Sequence, residues 1–216
     1  MVFGGVEDEL IQLNESTLWS GGPRKNNVNP EAYKYLKPIR EALARKDYST
    51  AQELTRKMQG HYSESFLPLG DLKIRQKFKS GGKPWKYYRD LDISNAIASV
   101  SYEKDGVKFT REVLASRPDQ VLVVKITANK PKSIFLEVDL VSQLRPVIST
   151  NGSDQLVMQA KAPARVDPSY YNQQGREPIA WEDVSGCNGM RVRTLLKAIP
   201  TQGEVSVVDN HLQITA

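Results

Sequence analysis

Short runs that alternate apolar and polar residues, each closed by a turn signal, recur along most of this chain. That pattern restricts it to architectures built from many short antiparallel strands. In 72–78, Leu72, Ile74 and Phe78 share one face while Lys73, Arg75 and Lys77 share the other, as in a half-buried strand. The clearest local signal is Ile97 to Tyr102, then Asp105-Gly106, then Val107 to Leu114. Asp-Gly supplies the positive φ angles of a tight primed turn, so the segment reads as a hairpin. Further strands are predicted at 120–127, 133–142, 155–162, 190–199, 205–208 and 211–215, with turn signals at Asn129-Lys-Pro131, Asn151-Gly152 and Asp209-Asn210. The opening run from Met1 to Pro23 enters at once on an apolar strand, with no leader before it, and then passes into a Gly-terminated loop, while 211–215 still alternates at the other end. A piece incomplete at both ends is the expectation.

One stretch departs from this pattern. Asn29-Pro30-Glu31 stands in helix-start order, and Ala32, Leu36, Ile39 and Leu43 recur at helical spacing behind it, with Pro38 expected to kink or shorten the helix. A second helix is predicted from about Ser49 to Met58, where Ser49-Thr-Ala-Gln52 fits a capping box and Gly60 follows as a stop. The result is a two-helix insertion near residues 30–59 between early strands. No period runs through 163–189, which reads as a long loop.

Length and composition narrow the function classes. A chain of 216 residues can bury a sizeable core, and a single β-sandwich domain over 1–216 is the expected organisation. Hydrophobic residues make up 39% and charged residues 25%, as in ordinary globular proteins. No run approaches the roughly 20 apolar residues of a membrane span. The net charge is +5, yet Lys and Arg alternate with Asp and Glu along the chain, so no nucleic-acid partner is expected. The single Cys187 excludes an internal disulfide and a multi-cysteine zinc site. His61 and His211, the two histidines, read as surface or loop residues, and no metal site is expected. The Gly-Gly pairs at 4-5, 21-22 and 81-82 lack the spacing of a nucleotide loop, and no cofactor is expected.

Glycosidase chemistry needs two carboxyl groups across a sugar, about 6.5–9.5 Å apart for inversion or about 5–5.5 Å for retention. Spacing singles out no such pair among the 25 acidic residues. Asn14, Glu15, Thr17 and Trp19 stand together on a loop ending at Gly21-Gly22. An aromatic beside amide and carboxylate groups suits the apolar face and hydroxyl rim of a sugar. The same residues also read as a loop carboxylate capping local backbone NH groups, with Trp19 plugging a domain seam. Cys187 lacks a neighbouring histidine and reads as a small loop or core residue.

The run Asn14-Glu-Ser-Thr-Leu-Trp-Ser-Gly-Gly-Pro23, with Asn29-Pro-Glu-Ala32, Asp47-Tyr-Ser-Thr-Ala51 and Phe66-Leu-Pro-Leu-Gly-Asp-Leu72, resembles the N-terminal region of the family 95 glycoside hydrolases, the inverting α-L-fucosidases. The likeness continues through Tyr88-Arg-Asp-Leu-Asp-Ile93, Val107-Lys-Phe-Thr-Arg-Glu112, Ala115-Ser-Arg-Pro-Asp-Gln-Val121 and Lys161-Ala-Pro-Ala-Arg-Val-Asp-Pro-Ser-Tyr170, so it covers essentially the whole chain. It implies a mainly β fold, a two-sheet β-supersandwich of the galactose mutarotase-like type, placed before a helical catalytic barrel. In that family the catalytic groups lie in the barrel, so the resemblance implies no catalytic residue here and a chain inactive by itself. Implied partners are the barrel of the same polypeptide and a fucosylated oligosaccharide or glycan. Asn14, Glu15, Thr17 and Trp19 are candidates for the substrate rim or the domain interface. The parent is expected to be secreted or periplasmic in a bacterium. Two alternatives stand beside this: a stand-alone carbohydrate-binding module using Trp19, Trp85 or Trp181, and a parent acting as an α-L-galactosidase.

Overall fold

The computed structural model describes residues 1–22, 28–60, 62–171, 175–183 and 187–216. They divide into two compact units. The first takes in Met1–Leu18, Phe66–Ala162 and Arg191–Ala216, and the second Trp19–Ser65 and Pro163–Met190. The elements in chain order are β1 (Asp8–Leu13), α1 (Tyr33–Ala44), α2 (Tyr48–Met58), β2 (Gly70–Gln76), β3 (Trp85–Asp92), β4 (Ile97–Lys104), β5 (Val107–Ser116), β6 (Val121–Ala128), β7 (Phe135–Val141), β8 (Val147–Thr150), β9 (Gln155–Lys161), β10 (Arg165–Val166), β11 (Ile179–Ala180), β12 (Arg191–Lys197), β13 (Glu204–Val208) and β14 (His211–Thr215).

The first unit is the expected mainly β sandwich. A five-stranded sheet runs β1-β2-β7-β14-β13, a four-stranded sheet β3-β4-β5-β6, and a three-stranded sheet β12-β9-β8. Every pairing is antiparallel. Registers such as Ile11↔Leu72 and Leu72↔Leu140 put the apolar residues of neighbouring strands on one face. That face supplies Ile11, Leu72, Ile74, Leu136, Val138, Leu140 and Leu212 to one core, and it meets Val113 from the four-stranded sheet and Leu156 and Met158 from the three-stranded sheet. Each fully buried side chain of this size stabilises the sandwich by about 1.5–3 kcal/mol.

A second core lies under the four-stranded sheet, where Val100, Tyr102, Val107 and Phe109 are buried. Phe78 belongs here. It was expected on the face of a strand with Leu72 and Ile74, but β2 ends at Gln76, and Phe78 turns away to set its ring edge-on to Phe109 at 5.5 Å and to Tyr102 at 6.2 Å. The hairpin turns behave as Asp-Gly and Asp-Asn dictate: φ is 54° at Asp105, 70° at Gly106, 46° at Asp209 and 64° at Asn210.

The strand of the opening run is β1, and the residues ahead of it fold back on it through an isolated bridge between Val2 and Ile11. The segment is also laced down by side chains from the four-stranded sheet. Tyr87 donates to the Gly4 carbonyl at 2.7 Å, Arg89 to the Phe3 carbonyl at 2.9 Å, Arg111 to the Gly5 carbonyl at 2.9 Å and Tyr102 to the Val6 carbonyl at 3.3 Å.

The second unit holds both helices, packed on each other through Ile39, Ala42 and Ala51. Residues 29–32 form a turn ahead of α1, in which the Asn29 side chain accepts from the Glu31 amide at 3.0 Å. Pro38 sits inside α1, which continues to Ala44. The second helix is capped by Asp47, whose carboxylate accepts from the Thr50 amide at 3.1 Å, and not by the Ser49 capping box expected from the sequence. Asp47 precedes Ser49 in the order that leaves Thr50 as its N3 donor, and a carboxylate is a stronger acceptor than a hydroxyl. Among its described residues, the stretch expected as a long loop carries a short strand pair, Arg165↔Ala180 and Val166↔Ile179.

Candidate functional site

In the first unit, β1 ends at Leu13 and the chain turns over Glu15–Leu18, with the Leu18 amide donating to the Glu15 carbonyl at 3.1 Å. Leu18 is 1% exposed and anchors the turn in a small core with Leu144 and Ala162. Bonds from the Leu67 amide to the Leu18 carbonyl and from the Leu69 amide to the Leu13 carbonyl brace both ends. Asn14, Glu15 and Thr17 are therefore exposed groups on a rigidly held turn.

Glu15 is spent on its own turn. Its carboxylate accepts from the Thr17 amide at 2.9 Å, from the Thr17 hydroxyl, and from Ser16 Oγ at 3.5 Å. The Thr17 hydroxyl holds the Glu15 carboxyl below the usual glutamate range. A glycosidase acid must keep its proton until the leaving oxygen takes it, which calls for a raised pKa. Glu15 has the opposite setting.

Trp19 is the first residue of the second unit and is 42% exposed. The residues behind it are tied tightly. The Ser20 amide donates to the Ser65 carbonyl at 2.9 Å, Ser20 Oγ accepts from the Ser65 amide at 2.9 Å, and that hydroxyl donates to Glu64 at 2.8 Å. Gly21, at φ 75°, donates to the Pro163 carbonyl, and a Cβ there would fall 2.3 Å from the Glu64 carboxyl carbon. The glycine is required both by the positive φ and by the close approach of Glu64. Cys187 donates to the Ala164 carbonyl at 3.3 Å, consistent with a small loop residue.

Further along this unit, Asp167 meets Arg176 at 2.9 Å and Arg165 at 3.4 Å, while Arg165 also donates to the Glu177 carbonyl. Tyr62 packs against Tyr170 and Tyr171 with ring centroids 6.1 and 4.7 Å away. None of Ser20, Glu64, Asp167 or these tyrosines stood out in the sequence, because Ser20 and Glu64 stand 44 residues apart, Tyr62 and the Tyr170–Tyr171 pair lie in distant segments, and a lone Asp167 carries no local signal. Gly21 was the single local sign.

The two histidines part company. His61 lies outside the described residues, and His211 opens β14 beside Val208. Among the described residues no three His, Cys, Asp or Glu side chains gather in a way that could hold a metal ion.

Over residues 1–216 the sequence matches the family described as glycosyl hydrolase family 65, N-terminal domain. The chain belongs to that family. Among its relatives is a protein named alpha-L-fucosidase 2 from Arabidopsis thaliana, 32% identical over 190 residues, which are 86% of this chain and 22% of the relative. Two proteins named probable alpha-fucosidase A are also similar. The one from Aspergillus oryzae is 29% identical over 59% of this chain and 18% of its own length, and the one from Aspergillus niger 29% identical over 71% and 20%. This member of the glycosyl hydrolase family 65 N-terminal domains thus spans about a fifth of the length of relatives named as fucosidases. The resemblance to α-L-fucosidases drawn from the sequence agrees with those names, and the relatives come from a plant and two fungi.

Proposed function

We propose that the chain is the N-terminal accessory domain of an inverting α-L-fucosidase of glycoside hydrolase family 95, which hydrolyses terminal α-L-fucosyl linkages in oligosaccharides or glycans. The observation that carries the reading is the match, over most of this chain, to a small part of the proteins named alpha-L-fucosidase 2 and probable alpha-fucosidase A. The chemistry falls to a helical catalytic domain elsewhere in the same polypeptide, against which this domain docks. The state of Glu15 supports that division, since its carboxylate is ionised and committed to Thr17 and has no proton to give a leaving group.

Asn14, Glu15 and Thr17 from the first unit, and Trp19 from the second, serve the substrate rim or the domain interface. Taken unit by unit, the fixed carboxylate of the first suits a sugar's hydroxyl edge, and the exposed indole of the second suits an apolar sugar face. The test of the mechanism is the anomer released by the parent enzyme, followed by proton NMR during the first turnovers. Inversion yields β-L-fucose first. Initial release of α-L-fucose would overturn the inverting assignment.

A further inference from the structure

Lysines that are scattered in the sequence converge at one end of the four-stranded sheet. The 79–83 segment, ahead of β3, is bonded to the β4–β5 turn, where the Ser80 amide and hydroxyl both donate to Asp105. On the other side, the Asn129 side chain accepts from the Lys108 amide at 2.8 Å, and Lys130 Nζ lies 3.6 Å from where a Cβ on Gly106 would stand. Lys79, Lys83, Lys108, Lys130 and Lys132 are thereby gathered, all exposed.

The carboxylates at this end are already engaged. Glu7 pairs with the buried Lys104, Glu103 with Lys86, Glu137 with Lys77, and Asp8 with Arg75. Asp105 is bonded to Ser80. Among the described residues, none of the five gathered lysines carries an ion pair, so the end presents a strong excess of positive charge. Alternation of charge along the sequence does not survive folding here. Beside it an open groove runs past Glu7, Arg75, Lys77, Lys79 and Gly81.

The same end carries an aromatic. Trp85 opens β3 opposite Glu103, is 54% exposed, and has Lys86 Nζ over its ring at 4.1 Å. An exposed indole beside unpaired ammonium groups has two complementary capacities: the ring stacks on the apolar face of a sugar, and the lysines pair with anionic substituents.

We propose that this end of the four-stranded sheet is a binding surface for an acidic polysaccharide, one whose sugars carry carboxylate or sulfate groups. The choice of a glycan over other polyanions rests on the glycoside hydrolase reading above. The surface is a binding site only, and no bond is made or broken there.

The test is affinity electrophoresis of the 216-residue chain in gels containing polygalacturonate, dextran sulfate or neutral dextran, with a single-stranded DNA oligonucleotide measured in parallel. Retardation by one or both acidic polysaccharides is expected, with none by dextran, and the pattern tells carboxylate from sulfate. Binding should fade as salt shortens the screening length below about 10 Å. The variant Lys79→Ala/Lys83→Ala/Lys130→Ala/Lys132→Ala should bind roughly tenfold or more weakly, four exposed charge contacts being lost. Trp85→Ala should weaken polysaccharide binding while leaving retention on a sulfonate cation exchanger unchanged. Both variants change exposed residues, and unaltered thermal melting confirms their fold. Absence of retardation, equal or tighter binding of DNA, or indifference to Trp85→Ala would overturn the proposal. A parent that failed to cleave α-L-fucosides would instead remove the fucosidase reading and leave these binding results standing.

Discussion

The Glu9 carboxylate of the five-stranded sheet meets the Arg111 guanidinium of the four-stranded sheet at 2.7 Å, with the two side chains 0% and 2% exposed. The other Glu9 oxygen accepts from the amides of Phe3 and Gly4 at 3.0 and 2.9 Å. One buried carboxylate thus ties the opening segment and the second sheet to β1. Removing one member of a buried ion pair strands the other charge, at a cost of about 3–5 kcal/mol. Arg111→Met is therefore expected to destabilise the domain by that amount in urea unfolding. The double variant Glu9→Gln/Arg111→Met should recover part of the loss, because Gln keeps an acceptor for the two amides and no bare charge remains.

Gly5 illustrates a different constraint. A Cβ at that position would lie 1.8 Å from the Asp8 carbonyl oxygen, so the backbone itself would have to move. Gly5→Ala should cost about 1–3 kcal/mol, the range for forced overpacking. At Gly81 the same addition meets nothing within 4 Å, and Gly81→Ala should stay within about 0.5 kcal/mol of the parent. Equal effects at the two glycines would show that the tight opening turn is not what fixes Gly5.

Acid should loosen the second helix through its cap. The Thr50 hydroxyl and amide hold the Asp47 carboxyl below the ordinary aspartate value of 3.8. A carboxyl with a depressed folded value contributes stability above its unfolded value and loses it as pH falls through the folded one. Below pH 3.8 the helical signal of the wild-type chain is expected to weaken as this cap protonates. Asp47→Asn should start from a less stable helix and lose less of it over that range. Parallel acid titrations of the two would contradict the cap's role.

For the rim, Trp19→Ala and Glu15→Gln in the full-length enzyme are expected to lower kcat/KM several-fold with thermal stability retained, as when contacts to a bound sugar are lost. Unchanged kinetics in both would remove these residues from the substrate and leave the interface as their place.

Much of the fold was legible because strand and turn signals are local. Asp105-Gly106 announced its hairpin through the φ angles it must adopt, and Leu72 and Ile74 announced a buried face through their period. Strand β3 was missed because almost every residue in it is exposed, so it lacks alternation, and its register shifts between Trp85 and Tyr88. The Ser49 cap was misplaced because several polar residues in a row can each serve, and only geometry chooses Asp47. Glu9 and Arg111 were invisible as a pair since 102 residues separate them. At the candidate site the sequence located the loop carrying Glu15, while the bonds that its carboxylate accepts from Thr17 and Ser16 depend on how the turn folds and are visible only in the structure.

Hydrolysis of an aryl α-L-fucoside by the 216-residue chain and by its full-length parent, assayed side by side at equal molar concentration, separates accessory domain from enzyme. Turnover by the parent, with none by the chain alone, is the predicted result. Specific turnover by the chain alone would contradict the accessory role and return the search for a catalytic acid to the carboxylates of these two units.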